Sequence, residues 1–350
     1  MLVYRNQEFS LRMKLPRPIA RVVLLLVLIT IVGGPAVAQP FISDKAYVEQ
    51  LNLNGALPEK LLSTRAAVFH SVDVTPEELN EAQRVFQRTG VDAVAHFPID
   101  MLTSAADVRK AFSDLFLKRE IVNIIFLEKG DKWRIVVTTF NGKENVVDAR
   151  QSSWSVTNAV LSEALKVLFR SASTQLKKQN LMINEFPETD ISVNTILGKR
   201  NEFYAVDLKV DPLGIVKTGD AAFDQELESL LTTNYPFKFR MFEPGTTEKE
   251  MRKQGHFYTL YFVRCRGSIA RELLEYPTAK SESALVSITF PDGQQQQLKN
   301  IPSNTLIYKV YLKHIDSQNV FLGNKWDADL TWQQALLNSI RGLKFEMRLN

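Results

Sequence analysis

Segments that favour β-strands alternate with segments that favour helices from residue 65 onwards, and this alternation restricts the fold more than any other feature. Arg65–Val72 and Val91–Phe97 are apolar runs rich in β-branched and aromatic residues, as strands usually are. Between them, the sequence TPEE at 75–78 predicts a helix start with a capping box, and Gly90 predicts the helix end. Strand and helix signals in this order predict an α/β fold with mixed sheets.

The same alternation continues as far as residue 178. Apolar residues at helical spacing predict a helix over Ser104–Lys118 and a longer one over Ser155–Lys178. Between these helices, Val122–Leu127 and Trp133–Phe140 are separated by a short connection that contains Gly130, which predicts an antiparallel hairpin.

Composition indicates a domain boundary near the middle of the chain. The stretch 184–201 is polar and is interrupted by Pro187 and Gly198, as inter-domain linkers often are. The predicted organisation is a lead-in at 39–64, a first α/β domain at 65–183, the linker at 184–201 and a second α/β domain at 202–350.

The second domain repeats the order of elements of the first. A predicted strand at Pro236–Phe242 ends close to a proline, as Val91–Phe97 does, and a predicted final helix at Thr331–Phe345 begins near a tryptophan, as the long helix of the first domain does. This order indicates a degenerate duplication with an insertion near 267–304; the alternative is that two unrelated α/β segments share an alternating order. The other counterparts are the helix Ala221–Thr232, the strand Phe257–Val263 and the hairpin of Leu306–His314 with Val320–Leu322.

Residues 1–38 have the composition of a secretory signal peptide. Basic residues precede the apolar run Val22–Val32, and Ala36 and Ala38 stand at the −3 and −1 positions of a cleavage site. The run is shorter than the roughly 20 residues that a membrane-spanning helix needs. The pattern predicts a cleaved leader, no transmembrane anchor in the mature chain, and a periplasmic or extracellular location. Met13 is an alternative start of translation.

The leader accounts for the net charge of the chain. It holds five of the 43 basic residues and one of the 39 acidic residues, so 38 of each remain after cleavage. A neutral mature chain gives no indication of a nucleic-acid partner. Cys265 is the single cysteine, so we expect a small buried side chain there, no intramolecular disulfide, and a fold held by its hydrophobic cores.

No complete catalytic or cofactor-binding motif occurs in the sequence. The nucleophile elbow, the zinc-protease helix, the phosphate-binding loop and the dinucleotide fingerprint are all absent. The four histidines show no metal-ligand spacing, so the sequence predicts no metal and no cofactor. His70 and His96 fall near the ends of neighbouring predicted strands and are candidates for a catalytic pair; ordinary strand-end histidines are the alternative.

Asp327 and Asp329, in the sequence WDADLTW, are the second pair of catalytic candidates. Carboxylates at i and i+2 lie on one side of an extended chain, where they can serve acid–base chemistry or bind a cation. The alternative is a loop that enters the last helix, with Asp329 or Thr331 as the N-cap and Trp326 and Trp332 closing the core.

Arg264, Arg266 and Ser268 are candidates for binding an anion. They lie where a predicted strand meets a predicted short helix, and the N–H groups at a helix start attract negative charge. The alternative is that Ser268 is an ordinary N-cap and that Glu272 and Glu275 pair with the arginines.

These observations favour an exported, non-enzymatic protein that binds or scaffolds another component of the cell envelope, possible partners including an envelope protein. Two alternatives stay open: an exported hydrolase assembled from the histidine and aspartate candidates, and a receptor for a small anionic ligand at the arginine candidates. A deep pocket would support the hydrolase, whereas an exposed apolar groove or a free sheet edge would support a binding protein.

Overall fold

Two mixed β-sheets with helices on their faces make up the molecule, which confirms the predicted α/β class. The computed structural model describes residues 41–277, 283–291 and 295–349, all within a unit that spans Gln39–Asn350. The predicted signal peptide at 1–38 and its cleavage site lie outside the described residues. None of the described helices has both the length and the apolar character that crossing a membrane requires.

The first half of the molecule forms a five-stranded sheet. Its elements are α1 (Asp44–Glu49), β1 (Arg65–His70), α2 (Pro76–Thr89), β2 (Asp92–Pro98), α3 (Ile99–Thr103), α4 (Ala106–Arg119), β3 (Ile121–Lys129), β4 (Trp133–Thr139), β5 (Trp154–Asn158) and α5 (Leu161–Gln175). The strand order is β2-β1-β3-β4-β5, in which β1 is parallel to β2 and β3, and the remaining neighbours are antiparallel. The parallel neighbours require crossovers, which α2 and α4 provide.

The second half forms a six-stranded sheet and a separate hairpin. Its elements are β6 (Arg200–Asn201), β7 (Leu213–Val216), α6 (Ala221–Asn234), β8 (Phe239–Phe242), α7 (Glu248–Lys253), β9 (Tyr258–Arg266), α8 (Gly267–Leu273), β10 (Ala284–Thr289), β11 (Gln297–Pro302), β12 (Leu306–His314), β13 (Val320–Phe321) and α9 (Trp332–Glu346). The sheet order is β6-β13-β12-β9-β7-β8, and β10 pairs with β11 alone.

The two sheets share one arrangement of strands. The order β8-β7-β9-β12-β13 repeats the order β2-β1-β3-β4-β5, and each pair of neighbours has the same relative direction in both sheets. The elements α8, β10 and β11 lie between β9 and β12, where the first half has only a tight turn between β3 and β4. The insertion near 267–304 stays a prediction.

Buried apolar residues form a continuous core between the two halves. One face of the first sheet packs on α2 and α5, and one face of the second sheet packs on α6 and α9. The opposite faces share a central core with α3 and α4, which includes Phe69 and Phe112 from the first half and Val263 and Tyr311 from the second. The halves are therefore packed together through side chains rather than separated by an open cleft.

Several local predictions differ from the structure. The long helix predicted over Ser155–Lys178 is wrong at its start, because Trp154–Asn158 pairs with β4 as a strand and the helix begins only at Leu161. The strand β7 has no counterpart among the predicted elements. The hairpin predicted at 122–140 and the hairpin predicted near 306–322 are confirmed as antiparallel pairs.

The stretch predicted as a linker, 184–201, packs along the first half. The N–H of Glu188 donates to the carbonyl oxygen of Val94 at 2.8 Å. Ile196 is buried in the central core, and Ile191 packs against that core. The connection between the halves is thus held by a main-chain hydrogen bond and by packing against the core.

Candidate functional site

Asp329 lies at the centre of a buried polar cluster between the β10–β11 hairpin and α9. Its Oδ1 accepts from Lys299 Nζ at 2.6 Å and from the N–H of Leu330 at 2.7 Å. Its Oδ2 accepts from Thr289 Oγ1 at 3.0 Å and from Asn338 Nδ2 at 3.3 Å. Both oxygens are occupied by groups of the chain itself, and Asp329 joins the β10–β11 hairpin to the last helix.

Asp327 forms a second, deeper ion pair with Lys309 of β12. Lys309 is fully buried, and its Nζ lies 2.7 Å from Asp327 Oδ1. The same Nζ donates to the carbonyl oxygens of Val310 at 2.8 Å and Leu322 at 3.1 Å. Burial opposes the charge of this ammonium, but the adjacent carboxylate outweighs it, so the pKa of Lys309 is raised above its ordinary value. All of these contacts are made within the chain, as expected of a structural ion pair.

A small cavity lies beside these ion pairs. Tyr204, Asp327 and Asn338 contribute to its lining. The Tyr204 hydroxyl lies 3.0 Å from Ser339 Oγ and 3.5 Å from Asp327 Oδ2. The cavity has room for about one water molecule. Sites for organic ligands are larger, roughly 300–1,000 Å³.

The loop that contains Asp327 and Asp329 leads directly into α9, as expected if the WDADLTW sequence serves to start this helix. Thr331 is the N-cap, and its side chain accepts from the N–H of Gln334. Trp332 is buried in the core of the second half, and Trp326 is packed against the central core. These contacts favour a stabilising role for the WDADLTW sequence.

His70 and His96 lie near the carboxyl ends of the parallel strands β1 and β2. His96 is in register with Val68, so the two imidazoles project from the same face of the sheet. His70 Nδ1 lies 3.0 Å from the carbonyl oxygen of Ser71, and His96 Nε2 lies 3.0 Å from Gln83 Oε1. Burial lowers the pKa of His70 and lowers the pKa of His96 to about 4, with a smaller effect of His70 on His96. Both rings are therefore neutral near pH 7.

The four catalytic candidates fall into two separate groups. The histidines lie at the ends of strands in the first sheet, whereas the aspartates lie in the second half beside the β10–β11 hairpin. Each group has its own partners, and no hydrogen bond between the two groups occurs among the described residues. Within residues 41–277, 283–291 and 295–349, no three histidine, cysteine or carboxylate side chains come together as metal ligands would.

Arg266 forms an ion pair that joins the two halves. Its Nε and Nη2 donate to the carboxylate of Asp100 at 2.7 and 2.9 Å, and its main-chain N–H donates to the same carboxylate at 3.2 Å. Arg264 contacts the hydroxyl of Tyr308 at 3.3 Å and the carbonyl oxygen of Ile42 at 3.4 Å. An anion bound at this point would need the Arg266 guanidinium, but that group already forms a bidentate pair with Asp100.

The start of α8 is satisfied by the chain itself. Arg266 is the N-cap, so the alternative interpretation of Ser268 as an ordinary N-cap is wrong. The N–H groups of Gly267 and Ser268 donate to the carbonyl oxygens of Thr305 at 3.0 Å and Ser303 at 2.9 Å. The arginine and serine candidates therefore serve contacts between strands and between halves.

The outer edge of β8 presents unpaired main-chain groups at the border of the second sheet. Among the strands that the structure describes, β8 pairs with β7 alone. The Lys238 carbonyl accepts from the N–H of Leu213 at 3.0 Å, so Lys238 turns its main-chain groups towards β7. By the alternation of a parallel ladder, the N–H and C=O groups of Phe239 and Met241 point outwards.

The side chains of this edge alternate between apolar and basic. Phe239 and Met241 are packed partly against the core, whereas Lys238 and Arg240 are exposed. The guanidinium of Arg240 lies over the ring of Phe242, 4.8 Å from its centre. The sequence predicts the strand but not its place at the border of the sheet, and the pattern FKFRMF is the signal that could have indicated a basic edge strand.

No protein-family model matches this chain, and no curated protein matches its sequence. Its function must therefore be argued from its own geometry.

Proposed function

We propose that the protein is exported and acts without catalysis, by binding an extended segment of another cell-envelope protein along the outer edge of β8. The outward N–H and C=O groups of Phe239 and Met241 are the observation that carries this proposal. An extended segment added to the edge forms main-chain hydrogen bonds with it, which is a common way in which domains recognise peptides.

Export rests on the leader at residues 1–38, which favours a periplasmic or extracellular location. The environment of Cys265 suits an oxidising compartment. Its side chain is completely buried, and burial raises the pKa of its thiol, so the reactive thiolate is disfavoured.

The contacts of the catalytic candidates favour binding over hydrolysis. A hydrolase needs a base, a nucleophile or carboxylate, and a substrate pocket at one place. The carboxylates of Asp327 and Asp329 are engaged by Lys309 and Lys299, and the cavity beside them has room for about one water molecule.

A duplication is part of the same proposal. The strands of the two sheets correspond in order and direction, and the inserted elements fall at one point of the second half. Under this proposal, β8 is the counterpart of β2, and differences between the two edges mark where the second half acquired its own role.

A photo-reactive amino acid in place of Arg240 tests the proposed binding edge. We expect light-induced adducts between the exported protein and a specific envelope protein, because this side chain lies beside the outward main-chain groups. The matched control carries the same amino acid in place of Lys132, an exposed residue in the turn between β3 and β4, and should give no such adduct.

Two substitutions at Phe239 distinguish the contribution of its main-chain N–H to binding from that of its side chain. Both Phe239→Ala and Phe239→Pro remove the ring, but only proline removes the outward N–H. We expect the adduct at position 240 to fall at least tenfold in the proline variant and to persist in the alanine variant. Equal yields in the two variants, or no adduct at position 240 in intact cells, would contradict the proposal.

A further inference from the structure

We propose that the segment bound at the outer edge of β8 is acidic. This inference rests on the proposed function and adds the chemical class of the partner. It comes from the first half of the molecule, where the strand that corresponds to β8 has its outer edge covered by an acidic segment of the chain itself.

Residues 184–190 lie along the outer edge of β2. The N–H of Glu188 donates to the carbonyl oxygen of Val94 at 2.8 Å, and the N–H of Asn184 donates to Asp92 Oδ1 at 3.0 Å. One main-chain hydrogen bond therefore joins the segment to β2, at the bulge where Val94 lies between Ala93 and Ala95. In the first half, a segment of the chain itself thus lies against the edge of the sheet.

This covering segment is acidic, and a basic side chain of the first half holds it. Its sequence is NEFPETD, which carries three carboxylates. Arg119, at the end of α4, donates to Glu188 Oε2 at 3.0 Å and to Asp190 Oδ2 at 3.1 Å. The segment is therefore held at β2 by a main-chain hydrogen bond together with ion pairs to its acidic side chains.

β8 itself carries basic side chains, and no described segment forms main-chain hydrogen bonds with its outer edge. Lys238 and Arg240 are exposed, and neither forms an ion pair within the part of the chain that the structure describes. An acidic segment laid along β8 would place carboxylates beside these cations while its main chain pairs with Phe239 and Met241. Charge complementarity at such a surface favours specificity and fast association.

The same charges argue against a second copy of this chain as the occupant. Pairing of two β8 edges would bring Lys238 and Arg240 of one copy close to the same residues of the other. Like charges opposite each other across paired strands are destabilising. An acidic segment from a different protein carries no such repulsion.

Two synthetic peptides test this inference. The first has the sequence INEFPETDIS, which is that of residues 183–192, and the second has Gln, Gln and Asn in place of its three acidic residues. Their affinity for protein purified after expression of the full chain is measured by fluorescence anisotropy at low ionic strength. We expect the acidic peptide to bind at least tenfold more tightly, with an affinity that falls as salt is added.

Charge reversal at the edge provides the matched comparison. The double variant Lys238→Glu/Arg240→Glu should lose at least tenfold in affinity for the acidic peptide. The double variant Lys60→Glu/Lys132→Glu makes the same change in net charge at exposed sites elsewhere and should leave the affinity close to that of the unaltered protein.

The outcomes separate this inference from the proposed function. Equal binding of both peptides that Phe239→Pro abolishes would overturn the acidic preference and leave edge binding standing. Binding of neither peptide would overturn the inference even where the adduct at position 240 forms. A concentration-dependent dimer in light scattering that Phe239→Pro abolishes would make a second copy the occupant and would also overturn it.

Discussion

Lys309 shows how a single buried charge depends on partners that are distant along the chain. Ile307 and Tyr311 flank it on the same face of β12, and both belong to the central core. A buried lysine is tolerated only when its ammonium has partners, here an ion pair with Asp327 and hydrogen bonds to two carbonyl oxygens. The sequence identifies Asp327 as a candidate residue, but no motif near it indicates that it pairs with Lys309.

We expect Lys309→Met to destabilise the protein by about 3–5 kcal/mol, because it leaves the Asp327 carboxylate buried without its counter-charge. Urea unfolding of the purified protein measures the change. Lys110→Met, which removes surface ion pairs with Asp114 and Glu144, is the control and should cost less than about 1 kcal/mol. The double variant Lys309→Met/Asp327→Leu should be less destabilised than the sum of its single variants, and strict additivity would contradict the coupling.

Asp107 gives the molecule a dependence on pH. Burial raises the pKa of Asp107 to about 6, although Lys313 acts in the opposite direction, and the Tyr311 hydroxyl donates to its carboxyl group. Because an unfolded aspartate has a pKa of about 3.9, the folded state holds this proton more tightly. The favourable contribution is fully present below about pH 4 and is lost as the pH rises through 6.

The variant Asp107→Asn isolates this contribution, since it cannot ionise and can still accept from Tyr311. Between pH 4 and pH 6.5, we expect the unfolding free energy of the unaltered protein to fall relative to that of the variant. Urea unfolding at several pH values provides the measurement. Parallel pH profiles for the two proteins would show that Asp107 titrates as an ordinary exposed carboxyl group.

At the scale of single elements, helix starts were the most predictable features. The sequence TPEE at 75–78 forms the expected capping box at α2, with the Thr75 N–H 2.8 Å from Glu78 Oε2, and the helix ends at Gly90 in the left-handed region. Thr247 and Glu250 form the same box at α7. These motifs are predictable because all their contacts lie within four residues.

We expect Thr75→Ala to cost about 1 kcal/mol, because it removes the acceptor for the N–H of Glu78 at the start of α2. Thermal or urea unfolding measures the effect. Thr75→Ser retains the hydroxyl oxygen and should stay within a few tenths of a kcal/mol of the unaltered protein. Equal losses in the two variants would assign the effect to the lost methyl group instead of the cap.

Strand β5 shows where prediction of elements fails. Helical spacing of apolar residues extends back from α5 across residues 155–158, but these residues pair with β4. Val156 and Thr157 are β-branched, so little local preference opposes the strand. Residues 154–158 form a strand because they pair with β4, which lies outside this segment of the chain. The spacing of apolar residues within 155–178 contains no information about that pairing.

At the scale of the whole molecule, the central core ties the two halves together. Residues from both sheets and from α3 and α4 contribute to it, and the ion pair of Arg266 with Asp100 lies across the same boundary. Domains that share buried surface of this kind stabilise each other. The halves are therefore expected to unfold together, although each half has a sheet of its own.

Tryptophan fluorescence can test this cooperativity, because Trp133 and Trp154 lie in the first half and Trp326 and Trp332 in the second. Two variants each keep one pair and replace the other pair by phenylalanine. In both, the fluorescence transition in urea should coincide with the far-UV circular dichroism transition of the whole chain. An earlier fluorescence transition in either variant would mean that its half unfolds independently.

The sequence by itself determined the α/β class, the capped helix starts, the antiparallel hairpins and the predicted leader, because each depends on residues close together in the chain. The tertiary structure alone decided the strand order, the partners of Asp327 and Arg266, and the place of β8 at a sheet border. These features arise from pairing and burial between segments far apart in sequence, where loop closure and packing, rather than local preference, set the free energy. FKFRMF is an ordinary strand in the sequence and becomes an open basic edge only because no other described strand lies beside it.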